Sequence, residues 1–193
     1  MATQLITAPA TEPVTRAELQ AHLRLDTDDT SENHLLDALI TAARQWAEDF
    51  QNRRYITQTY DLWLDDFPDE DYIRIPLPPL VSITSIKYYD TDDVEATFTS
   101  SYYFVDTKSE PGRVGLNYGE IWPTTTLRPI NGVAVRFVAG YGEAAAVPTK
   151  VKQSIKLICG HWYENRENTS TIEIKEVPLA AHALLWQDRI VSF

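Results

Sequence analysis

The stretch CGHWYENRE, Cys159 to Glu167, sets a thiol, an imidazole, two carboxylates, a guanidinium and two large aromatics side by side. A thiol with an imidazole is nucleophile–base chemistry, and an imidazole with carboxylates is metal or proton-transfer chemistry. Spacing decides against both. Cys159 and His161 are two positions apart, so on a helix they point in different directions and cannot form a nucleophile–base pair with each other. His161 and Glu164 share a helix face. A di-iron bundle, however, uses the order Glu-x-x-His, twice, with further glutamates on neighbouring helices. Here the order is reversed and there is no second copy. His161 therefore reads as a structural or interface residue and Cys159 as a small buried hydrophobe. Glu164 and Arg166 read as a solvated side or as charge partners of a neighbour.

The other candidates carry less. His22, His34 and His182 stand isolated, without zinc-type spacing. The glycines of AGYG and GYGEAA follow a strand pattern but lack the Lys-Ser/Thr or G-x-G-x-x-G of a phosphate cradle. No G-x-S-x-G elbow occurs. The chain reads as a protein without catalytic, cofactor-binding or metal-binding residues.

The elements that hold these residues follow from periodicity. A short helix opens at VTRAEL, with Thr15 as N-cap, Glu18 as its capping-box partner, and Val14 and Leu19 placed as a hydrophobic staple. A second helix is expected from about Thr30 to Asn52, its stripe formed by Leu35, Leu36, Leu39, Ile40, Ala43, Trp46, Ala47 and Phe50. From Tyr55 the period changes to two. ITQTYDLWL, DYIRIPL, SITSIKYY, SSYYFVDT, GRVGLNY and GVAVRFVAG read as strands. Pro76–Pro79 is an edge or connector, and Asn131–Gly132 opens the last strand. Helix resumes at Pro148, with Val151, Ile155, Ile158 and Trp162 on one stripe and Gly160 inside it.

The expected fold class is α+β. Residues 1–54 supply N-terminal helices of a bundle, and residues 55–147 a small antiparallel β insertion. Residues 148–176 form a long helix and a polar link, and residues 177–193 an apolar C-terminal helix or arm.

Composition narrows the function. The chain has 193 residues, with 44% hydrophobic and 23% charged residues, which is ordinary for a globular protein. No apolar run is long enough to cross a bilayer, and the N-terminal stretch lacks the form of a signal peptide. A single cysteine fits a reducing compartment, so a cytoplasmic product is expected. The net charge is −11. Residues 149–193 hold six Lys/Arg against five Asp/Glu, so residues 1–148 carry −12. This balance argues against a clamp on the nucleic-acid backbone, which needs a basic patch. The acids gather in DTDDTSE, DDFPDED and DTDDVE. These are either solvated loops or a surface that repels polyanions, such as the rim or lumen of a DNA channel.

Interaction readings remain. Trp63, Tyr102, Tyr103 and Trp122 are either sheet packing or a sugar-stacking platform. The apolar set Leu179, Leu184, Leu185, Trp186, Ile190 and Phe193 is either the last helix of the bundle or an arm that docks on a partner.

Three long segments carry a family resemblance: TAPATEPVTRAELQAHLRLD, RRYITQTYDLWLDDFPDEDYIRIPLPPLVSITSIKYYD and VRFVAGYGEAAAVPTKVKQSIKLICGHWYENRE. In order the chain presents E-P-V-T, I-T-Q-T, F-P, P-L-P-P-L, W-P at Trp122–Pro123, A-G-Y-G, V-P and H-W-Y-E-N-R-E. Over about residues 5–190 the chain resembles the head–tail connector, or adaptor, proteins of tailed phages, which prophages and gene transfer agents also carry. The resemblance implies a structural ring, normally of twelve copies, between the portal and a tail-completion or stopper protein. DNA would pass through its lumen without specific binding, with no cofactor and no membrane. It implies a place in the virion neck after assembly in the bacterial cytoplasm. It also implies portal docking by the C-terminal segment, here Leu179, Leu184, Leu185, Trp186, Arg189, Ile190 and Phe193. Tyr163 and Arg166, of residue types enriched at interfaces, are the expected subunit–subunit contact. Two departures stand out. Cys159–Gly160 replaces apolar residues, and AAHALLWQDR keeps only Leu184, Leu185 and Arg189 of the family's ending. A carbohydrate-binding module built on the β-region aromatics is the alternative, and a small hydrolase with a dispersed site is a third reading.

Overall fold

The computed structural model describes residues 1–165 and 178–191. The chain divides into two compact units. One is built from Met1–Ala10 and Thr57–Tyr141. The other is built from Thr11–Ile56 and the chain from Gly142 onward. The class is α+β: among the described residues there are four α-helices and two antiparallel sheets.

In the helical unit, α1 (Arg16–Leu23) begins with a complete capping box. The Glu18 carboxylate accepts from the Thr15 N–H at 2.7 Å, and the Thr15 hydroxyl accepts from the Glu18 N–H at 3.2 Å. A cap of this kind stabilises a helix by about 1 kcal/mol. Val14 and Leu19, the staple pair, are both buried. Helix α2 (Asn33–Gln51) is followed by Asn52 in the left-handed conformation as its C-cap. Its buried face holds Leu36, Ile40, Ala43 and Ala47, as the stripe predicts, but also Arg44, Glu48 and Gln51. Helix α3 (Thr149–Glu164) starts one residue after Pro148, which serves as N-cap rather than first helical residue. Its buried residues are Val151, Ser154, Ile155, Ile158 and Cys159, while Trp162, expected on that stripe, is half-buried. Helix α4 (Leu179–Trp186) packs on α3 and α2. The expected polar link, residues 168–176, lies outside the described residues.

The β unit is two facing sheets. Eight strands build it: β1 (Ala2–Thr7), β2 (Gln58–Leu64), β3 (Tyr72–Ile75), β4 (Leu80–Tyr89), β5 (Glu95–Phe98), β6 (Tyr103–Asp106), β7 (Gly112–Leu116) and β8 (Val133–Ala139). Five form a sheet in the order β1-β2-β8-β4-β5, and three form β3-β7-β6. Alternation fills the core. Tyr60 and Leu62 of β2 meet Val133, Val135 and Phe137 of β8, Ile86 of β4, and Ile73, Ile75 and Val114 of the smaller sheet. Pro76–Pro79 connects β3 to β4, and the Pro-Gly turn separates β6 from β7. Asn131 at φ 54° turns the chain into β8. Gly132 follows because a Cβ there would lie 2.5 Å from the Asp65 carbonyl oxygen.

The structure differs from the sequence reading elsewhere as well. Ala2–Thr7 is a strand, where the reading has no element before Thr15. Glu95–Phe98 is a fifth strand of the larger sheet. Tyr55 and Ile56, read as the start of the first strand, are instead buried residues of the helical unit.

Candidate functional site

Helix α3 disperses the reactive groups of CGHWYEN instead of gathering them. Cys159 is fully buried, and that burial pushes its thiol up to about 12. His161 is half-buried at the last turn, where the Asn165 side-chain amide donates to its carbonyl at 2.8 Å and caps the helix. Glu164 is exposed. The Tyr163 hydroxyl donates to the carboxylate of Glu32, the N-cap residue of α2, so its polar tip ties two helix ends within one chain. Arg166, its expected companion in a subunit contact, lies outside the described residues. Among the described residues no group of three or more His, Cys, Asp or Glu is placed to hold a metal ion.

Beneath α2 lies a buried charge network. Arg44 donates to Glu12 and to Glu48, both at 2.7 Å, and the other Glu48 oxygen accepts from the Tyr55 N–H at 2.8 Å. Burial raises the Glu48 carboxyl above its usual range, against the pull of the Tyr55 N–H and of Arg44. Burial also opposes the charge on Arg44, yet Glu12 and Glu48 together hold it protonated. An open groove of about 420 Å³ runs beside this network, lined by Thr11, Glu12, Arg16, Asp37, Thr41 and Glu143 among others. Most of its charges are already matched: Glu12 to Arg44 and Thr41, Asp37 to Arg16. This is the chemistry of a clasp between helices, and sequence spacing alone did not point to it.

The C-terminal segment is anchored to the end of α2. The Gln51 amide donates to the Leu185 carbonyl at 2.6 Å, and the Ile190 N–H donates to the Gln51 carbonyl at 2.9 Å. Asn52 donates to the Ile190 carbonyl at 2.8 Å, and Arg53 to the Asp188 carbonyl at 2.6 Å. Lys150 pairs with Asp188 at 2.6 Å. The His182 ring lies 4.4 Å from that of Phe50, and the Arg189 guanidinium sits 4.7 Å from the Phe50 centroid and 5.1 Å from that of Trp186. Of the residues expected to dock, Leu185 is fully buried and Leu184 and Ile190 are partly so. Leu179 and Trp186 remain 67% and 56% exposed, and the exposed Arg189 lies beside Trp186. Phe193 lies outside the described residues. Within residues 178–191 the chain forms α4 (Leu179–Trp186), packed on α3 and α2, and then a turn held to the end of α2.

Of the four candidate aromatics of the β unit, Tyr102, Tyr103 and Trp122 gather around Phe98, at 5.6, 5.9 and 5.5 Å, and Trp63 stands apart from them beside Tyr89. Tyr103 is core. Trp122 stacks on Phe67 at 5.2 Å, with its indole N–H on the Glu70 carbonyl, and Tyr102 packs against Phe98 at 5.6 Å. Trp63 lies on the opposite face of β2 from Tyr60 and Leu62, paired with Tyr89 at 6.3 Å. That outer face also carries the bidentate Asp61–Arg136 pair, at 2.7 and 2.8 Å, and Arg128 over the Tyr89 ring at 4.1 Å. The acidic loops at 65–71 and 90–94 lie close together. Asn131 donates to Asp65 at 3.0 Å, while its neighbour Arg128 pairs with Asp93.

No family model and no curated protein matches the chain. Solved structures do. A chain in the neck of an empty gene transfer agent particle, solved with C6 symmetry, aligns at a TM-score of 0.81 with 23% identity, covering 100% of this chain and 97% of that one. Chains in the native gene transfer agent virion and in the native neck with C12 symmetry align at 0.80 and 0.78, with the same identity and coverage. At this identity the likeness establishes a shared fold over the whole length of the chain.

Proposed function

We propose that this chain is a structural protein of the neck of a tailed-phage-like particle: a head–tail connector that forms a ring between portal and tail-completion protein. The observation that carries the reading is the end-to-end match of both units to a chain of gene transfer agent necks solved with sixfold and twelvefold symmetry. A fold shared by both units over the full chain is more specific than a match to one common module. The charge supports it as well. A lumen that lets DNA slide should repel the backbone, and the exposed acids of the β-unit loops supply such a surface. The dispersal of the CGHWYEN groups accords with a role in assembly rather than catalysis.

In this reading the exposed residues of the C-terminal segment, Leu179, Trp186 and Arg189, face the portal. The ring of Tyr163, with Arg166, contributes to the contact between subunits. The carbohydrate-binding alternative is weakened because Tyr103 and Trp122 are spent on packing within the β unit. The test is co-sedimentation with the portal ring encoded in the same genome, using the full chain and one cut after Glu176. Binding by the full chain in a fixed ratio and none by the cut chain supports both the connector role and C-terminal docking. Equal binding by both removes the docking role alone. Failure of the full chain to bind an intact portal ring overturns the connector reading.

A further inference from the structure

Strand β1 is the edge of the five-stranded sheet, and all six of its residues are exposed. The core of the β unit draws residues from the other strands and none from β1. Leu5 is paired with Tyr60, whose side chain enters that core, yet Leu5 stays 47% exposed, and Ile6 is 41% exposed. The core-facing side of β1 is therefore uncovered, as are its outer side and its free backbone edge.

An edge strand of this kind invites pairing, and monomeric proteins blunt such edges with charged side chains, prolines or inward-pointing charges. The sequence ATQLIT has none of these, and the single register irregularity, between Leu5 and Thr7, leaves Ala2–Leu5 regular. Charge identifies the occupant. The first eleven residues hold no charged side chain in a chain of net charge −11. Two copies repel each other through that charge, so they meet at least cost on an uncharged surface. Asp61, the acid that pairs across from Gln4, is already neutralised by Arg136. A basic partner would gain nothing from a neutral strand.

We infer that β1 is the surface on which a second copy of this chain docks, as one side of the heterologous contact that closes a ring. The inference rests on the ring reading and adds the surface that builds it. The test compares particle masses, by sedimentation velocity, of the unmodified chain, Leu5→Lys, and Val94→Lys. Val94 is an exposed site on the β4–β5 turn that receives the same charge. The unmodified chain and Val94→Lys are expected to form rings. Leu5→Lys is expected to need a concentration at least about tenfold higher for half-assembly, as for a contact residue at an interface centre. Normal assembly of Leu5→Lys, or equal loss in Val94→Lys, overturns the inference and leaves the ring reading standing. No ring from the unmodified chain, either alone or mixed with the intact portal ring, overturns both. Should Leu5→Lys fail to fold, hydrogen exchange on the unmodified chain decides. Residues 2–7 must exchange more slowly in the ring than in the dissociated chain, and equal exchange overturns the inference.

Discussion

The Gln51 side-chain amide donates to the Leu185 carbonyl at 2.6 Å across 134 positions of chain, and its oxygen accepts from the Tyr55 hydroxyl at 2.7 Å. One buried residue of α2 thus holds the C-terminal helix by its backbone. Replacing it with leucine removes the donor from a buried carbonyl and the acceptor from a buried hydroxyl. Gln51→Leu is expected to cost about 1–3 kcal/mol in urea unfolding. It should also speed proteolysis within residues 178–191. Unchanged cleavage there would show that the apolar contacts of Leu185 hold the helix alone.

The single cysteine makes a clean probe of the helical unit. Cys159 is buried and its thiol is pushed up to about 12, so almost no thiolate exists at neutral pH. Iodoacetamide is expected to leave the folded chain unlabelled and to label it fully in denaturant. Rapid labelling of the folded chain would contradict the packing of α3.

Gly160 interrupts α3 without serving a close approach. A Cβ there would meet Leu23 Cδ2 at 3.5 Å and His22 Nε2 at 3.7 Å, which is ordinary contact. Gly160→Ala is expected to stabilise the chain by about 0.5–1 kcal/mol through helix propensity. A lower thermal midpoint would mean that the helices meet more tightly than the structure shows.

Asp106 organises the β6–β7 turn. Its carboxylate accepts from the Ser109 hydroxyl at 2.6 Å, from Arg113 at 2.8 Å, and from the Lys108 and Ser109 N–H groups at 3.0 and 3.1 Å. These bonds hold it well below the usual carboxylate range. A carboxylate lowered in the folded state adds stability that is present above its unfolded pKa, near about 4, and fades as pH falls below that value. Asp106→Asn is expected to unfold at lower urea than the parent at neutral pH. The gap should begin to close below about pH 4. A gap that is constant with pH would assign the effect to turn geometry instead of charge.

What could be read from the sequence was what neighbouring residues decide. The Thr15–Glu18 box and the Asn131–Gly132 turn depend on residues a few positions apart, and both form. The apolar stripe of α2 follows from its period. The i,i+4 spacing of Arg44 and Glu48 is local too, but the burial of Arg44, Glu48 and Gln51 is not, because their further partners Glu12, Tyr55 and Leu185 come from other segments. Strand β1 escaped notice for a related reason. It lies more than fifty positions from β2, and since both its faces are exposed it shows no alternation to read. The Tyr163–Glu32 bond is likewise invisible to local spacing, because the two residues are 131 positions apart.

The central claim is that this chain closes into a ring on a portal. Electron-microscopy class averages of the full chain mixed with the intact portal ring test it most directly. The account predicts a closed ring stacked coaxially on one end of the portal, with the sixfold or twelvefold symmetry used for the necks that contain a chain of the same fold. A portal left bare, with the chain averaging as single asymmetric particles, would contradict it.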